Sequence, residues 1–197
     1  APTVQAQSNP PPSRWPLVLS ALRRPRARAG GAAVRCPATT AMAASLRSIS
    51  DAALAERVVR AMADTSSPAI VPDLLRALKR FDPEEQAVVV TALLRTLGSV
   101  RDRRAIAVLL KYVERGDSEV ATVAIRALGG YGDIDRKRVV TSLARLMEKS
   151  KAAGKKGLEQ KRHWRALRPA FMAALSVLVG EPVKTPEDAR AALKRRR

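Results

Sequence analysis

Few side chains in this chain are suited to catalysis, and they are scattered. His163 is the only histidine in 197 residues, which argues against a histidine-based metal site or dyad. Cys36 is the only cysteine. It excludes an internal disulfide and a conventional cysteine cluster for zinc or iron–sulfur, and it leaves the redox compartment open. Asp82, Asp117 and Asp135 each precede a helical pattern, where capping of free backbone amides explains them. The run GGYG at Gly129–Gly132 lacks the Lys-Ser/Thr that follows a phosphate-cradling loop. No catalytic residue, metal ligand or cofactor-binding residue is assigned, and the chain reads as a non-enzyme.

Cationic chemistry is what the sequence holds in excess. Lys149, Lys151, Lys155, Lys156, Lys161, Arg162, Arg165 and Arg168 fall within residues 149–168, with Glu159 as the one opposing charge. Such a cluster suits phosphates, an acidic protein or anionic lipid. A solvated loop has the same composition. Trp164 lies inside the cluster and offers a ring for base stacking. Its spacing with Leu167 and Phe171, i, i+3, i+7, instead predicts that it packs on a core stripe. Arg95 and Arg126 form a second candidate set: they occupy equivalent places on successive helices and are predicted to face one concave groove. The alternative is that each is the polar edge of an otherwise buried helix.

The elements that must position these residues are helical. In residues 102–132, Ala105, Ile106, Leu109, Leu110 and Val113 make the stripe of an amphipathic helix. Gly116 and Asp117 end that helix and cap the next. The second helix, Ser118–Leu128, is apolar nearly all round and must be covered on more than one side. A single hairpin cannot do that; a stack of hairpins can.

Imperfect copies flank this unit. Leu74, Leu75, Leu78 and Asp82 match Leu109, Leu110, Val113 and Asp117 at an offset of 35, and LRTLG at 94–98 matches IRALG at 125–129 at an offset of 31. A third copy places Val139, Val140, Leu143 and Leu146 on its first helix and residues 170–179 on its second. Val177 stands there where Arg95 and Arg126 stood, and residues 149–168 read as an insertion between the two helices. Thr185-Pro186-Glu187-Asp188 repeats a helix-start signal, predicting a short terminal helix that covers the open end of the stack. Before all this, residues 1–47 are rich in Pro and Arg and read as disordered. For that segment a linker left after export, a basic arm, upstream sequence from a misassigned start and an organellar presequence all stand as readings.

The repeat of 31–35 residues built from two helices is an α-solenoid signature. With RDRRAIAVLLKYVERGDSEVATVAIRALGGYGD and the AALSVLVGE–TPEDARAAL ending, it resembles the HEAT-repeat family, in particular the short bacterial HEAT-like repeats also found in bilin lyases. That resemblance implies an all-α, right-handed superhelix. About three hairpins are expected over 48–180, with a capping helix and basic tail at 181–197 and a disordered N-terminal arm. Function does not carry over with the fold; with so few catalytic side chains, the expected function is a non-catalytic protein–protein interaction scaffold with no cofactor. The alternatives are a nucleic-acid-binding protein using the insertion and the concave face, or an enzyme accessory of the bilin-lyase type.

The net charge of +19 is carried by the ends. Residues 1–50 hold seven Arg and no acid, and residues 136–197 hold eighteen basic against five acidic residues. The repeats between them are near neutral. Aromatic residues make up only 3%, so the core must be built from Ala, Val and Leu. No apolar run approaches the roughly 20 residues of a membrane helix. Cytoplasmic and exported locations both remain open.

Overall fold

The structure is a computed structural model that describes residues 37–49, 51–65 and 67–195. Among these residues the elements are helices: α1 (Pro37–Ser48), α2 (Ala52–Thr65), α3 (Val71–Leu78), α4 (Ala87–Val100), α5 (Ile106–Arg115), α6 (Ser118–Gly129), α7 (Gly132–Ala153), α8 (Leu158–Val179) and α9 (Pro186–Arg195). They form an all-α solenoid. The second helices stack in the order α2, α4, α6, α8, each against the next. First helices line the other side, with α1 on α3, α5 on α7 and α7 on α9.

Local sequence explains the hairpins. Short 3-10 turns at Pro68–Ile70 and Arg103–Ala105 lead into α3 and α5. Ser67 Oγ accepts from the Ala69 amide at 3.3 Å and Asp102 Oδ1 from the Arg104 amide at 2.8 Å, the same capping device one repeat apart. Asp117 Oδ1 accepts from the Val120 amide at 2.7 Å and starts α6. At α9 the capping box is complete. Thr185 Oγ1 accepts from the Asp188 amide, and Asp188 Oδ2 accepts from the amides of Thr185 and Lys184, which holds the Asp188 carboxyl below its ordinary range.

Hydrogen bonds then recur at a spacing of one repeat. The Tyr112 hydroxyl donates to the Leu78 carbonyl and that of Tyr131 to the Leu97 carbonyl, each 34 residues back. Arg80 donates to the carbonyls of Leu46 and Ile49, and Arg104 to that of Pro68. Lys149 pairs with Glu114, 35 residues back. Between them runs a core of Leu, Val, Ala and Ile, with Tyr131 and Phe171 as its largest fully buried side chains.

Several sequence expectations are corrected. Residues 37–47 are not part of a disordered arm: they form α1, whose Ala43 and Leu46 are buried. With α2 it makes a hairpin, so four hairpins precede α9. Residues 1–36 lie outside the described residues. The stretch 149–168 is not an inserted loop, because α7 runs on to Ala153, α8 begins at Leu158, and only 154–157 turn. Pro169 lies inside α8, where it removes one backbone hydrogen bond without ending the helix. α4 begins at Ala87, because Gln86 leaves helical geometry after the turn that Asp82 caps. It ends past Gly98, at Val100, with Arg101 in the left-handed conformation.

Gly98 is where α4 and α6 come closest. A Cβ built there would lie 2.8 Å from the Ala127 Cβ and 3.0 Å from its Cα. Gly98→Val therefore forces two packed helices apart and is expected to destabilise by about 1–3 kcal/mol, read as a fall in the thermal midpoint.

Candidate functional site

Three grooves deserve comparison, each built from neighbouring repeats. The first lies on the stacked second helices. Arg95 of α4, Arg101 just after it, and Arg126 of α6 converge on a groove of about 310 Å³, with Gly98, Val123, Ala127 and Gly130 as the rest of its lining. No acidic residue lines it. All three arginines are exposed, and among the described residues none makes an ion pair.

The geometry of Arg101 follows from its backbone. It is the only described non-glycine residue with positive φ, at 55°, a conformation that costs an L-residue roughly 1–2 kcal/mol. Its amide closes α4 on the Leu97 carbonyl. Its Nε lies 3.5 Å from the position of a Cβ built on Gly130, an ordinary contact distance, which puts the side chain against that glycine beside the groove. Arg95 also lines an adjoining groove of about 470 Å³ between α2 and α4, with Arg60 and Asp64. Arg60 is committed to Glu56 at 2.6 Å.

The second groove, of about 650 Å³, sits at the opposite end of the second helices, under the long α7–α8 hairpin. His163 Nδ1 lies 3.0 Å from Ser118 Oγ, so the lone histidine meets a partner 45 residues away that spacing did not suggest. Lys149 pairs there with Glu114, whose carboxyl it holds below the ordinary range, and Arg162 pairs with Glu159 at 2.9 Å. Charge in this groove is mutual. Among the described residues no carboxylate hydrogen-bonds His163, so the pair lacks the orienting third group of a nucleophilic triad.

A third groove, of about 640 Å³, has an apolar floor including Leu75, Leu78, Val108 and Tyr112, with Lys79, Lys111 and Arg115 at its rim. It brings together residues of two repeats that the sequence did not single out.

The candidate cations thus divide. Arg95, Arg101 and Arg126 line one groove. Lys149 and Arg162 line the groove under the long hairpin, each ion-paired. Lys151, Lys155, Lys156, Lys161, Arg165 and Arg168 are exposed and line none of these grooves. Trp164 is half-buried, its ring 6.5 Å from that of Phe171, with the Gly154 turn packed on it; it is held as core, not presented for stacking. Ser118, where α6 meets His163, and Arg126 are eight residues apart on α6, about 12 Å along its axis. Among the described residues no group of three or more His, Cys, Asp or Glu is placed to hold a metal, and no helix is long and apolar enough to cross a membrane.

Comparison with known proteins agrees with this architecture. Residues 39–129 match the family model described as HEAT repeats, a span that begins inside α1 and ends at the last residue of α6. No curated protein and no solved structure matches the chain.

Proposed function

The chain belongs to the HEAT-repeat family over residues 39–129, and from that premise we propose that it is a non-catalytic scaffold that holds an acidic segment of a partner protein on its second-helix face. HEAT repeats generally serve as protein-interaction scaffolds. The observation that carries the reading here is the convergence of Arg95, Arg101 and Arg126 on one groove without an acid. Guanidiniums present planar, paired donors that match carboxylates.

A nucleic-acid reading would gain from one continuous basic groove joining Arg95 and Arg126 to the 149–168 cluster. The pairing of Lys149 with Glu114 and of Arg162 with Glu159, and the packing of Trp164, favour a protein partner. Affinity capture from the native source, with and without nuclease, separates the two. A partner retained at physiological salt after nuclease treatment is the expected result. Capture that disappears with nuclease would replace this reading with nucleic-acid binding.

A further inference from the structure

The tip of the α7–α8 hairpin carries the most exposed large apolar side chain of the described residues. Leu158 is 75% exposed and opens α8 directly after the turn. Lys155 and Lys156 precede it in that turn, and Lys161 and Arg165 follow at i+3 and i+7, on the same helical face. All four cations are exposed, and among the described residues none has an acidic partner. Ser118, in the first turn of α6, meets α8 at His163. The five residues from Leu158 to Arg162 therefore overhang the preceding hairpin by about 7 Å.

Leu158 and its four cations line none of the grooves described above. The hairpin's one aromatic ring for stacking, Trp164, is packed beneath the turn, which removes the usual means of holding single-stranded bases. A fluid surface that is anionic outside and apolar just beneath suits both components at once. Lysine stems lie along the apolar boundary while their ammonium groups stay among headgroups.

We propose that the α7–α8 tip docks on anionic lipid surfaces, with Leu158 entering the headgroup–acyl boundary and Lys155, Lys156, Lys161 and Arg165 meeting headgroup charge. This site is separate from the arginine groove, which stays open to a partner when the tip is docked, so the scaffold would be held at a membrane.

Co-sedimentation of the full chain tests it, with vesicles of phosphatidylcholine alone or mixed with phosphatidylserine, at physiological salt. The intact chain is expected to sediment with the mixed vesicles only. Leu158→Ser keeps every charge and is expected to weaken that binding about tenfold, the scale of one buried leucine. The fourfold variant Lys155→Glu, Lys156→Glu, Lys161→Glu and Arg165→Glu is expected to abolish it, with the thermal midpoint unchanged. Three outcomes overturn the proposal: no binding to mixed vesicles, binding that survives the fourfold variant, or binding indifferent to Leu158→Ser and displaced by a duplex oligonucleotide. The last would mark a general polyanion site. None of these outcomes bears on the arginine groove.

Discussion

Replacing Tyr131 by alanine is expected to destabilise the array by about 3–5 kcal/mol, the range for truncating a large buried aromatic side chain. The ring is fully buried between repeats and its hydroxyl donates to the Leu97 carbonyl at 2.8 Å. That carbonyl also accepts from the Arg101 amide at the end of α4. The tyrosine therefore fills space and holds the α4 terminus from which Arg101 reaches the groove. Against a total stability of about 5–15 kcal/mol, such a loss lowers the thermal midpoint by roughly 6–20 °C in a chain of this size. Tyr131→Phe keeps the ring and removes one hydrogen bond, at about 1 kcal/mol.

The same side chain sets a pH dependence. Burial pushes the Tyr131 hydroxyl well above its ordinary range, and burial also raises that of Tyr112. In alkali the unfolded chain loses these protons before the folded one does. The contribution is therefore complete below about pH 10 and is lost as pH rises above it. Thermal midpoints measured from neutral pH to alkali are expected to fall above that point, and to fall less in Tyr131→Phe.

Reversing the arginine groove is expected to have the largest effect on function. Arg95→Glu with Arg126→Glu turns a site of three cations into one of mixed sign, and capture of the acidic partner is expected to be lost. Both positions are exposed, so folding should be preserved. Arg101 adds a test with opposite signs. Glycine at φ 55° relieves backbone strain, so Arg101→Gly is expected to raise stability by about 1 kcal/mol while weakening partner binding. A residue kept in a strained conformation at a stability cost is the mark of a functional position. If Arg101→Gly raised the thermal midpoint and left binding intact, Arg101 would have no part in the site.

How much of this was legible beforehand depends on the kind of signal. Asp117, the apolar stripe from Ala105 to Val113 and the nearly all-apolar Ser118–Leu128 specify a hairpin that needs neighbours, and the stack follows from them. α1 escaped because PATTAMAASLRS carries almost no apolar stripe; it buries Ala43 and Leu46 and follows a Pro- and Arg-rich run. The extension of α7 and α8 escaped for a related reason. Residues 149–168 are mostly Lys, Arg, Ala, Glu and Gln, all good helix formers, yet their faces are solvated, so periodicity is silent while propensity speaks. Arg101 escaped because a left-handed helix end is usually marked by glycine, and the nearest glycine, Gly98, lies three residues before it inside α4. Ser118 and His163 meet only through packing across 45 residues, which no local pattern encodes.

The account turns on whether the arginine groove is where the partner lies. Nuclear magnetic resonance of the isotope-labelled full chain, titrated with a short glutamate-rich peptide, reads this directly. The predicted result is that amide and guanidinium shifts move at Arg95–Arg101 and Val123–Gly130 while residues 149–168 stay unchanged. Shifts confined to 149–168, or none at all, would contradict it.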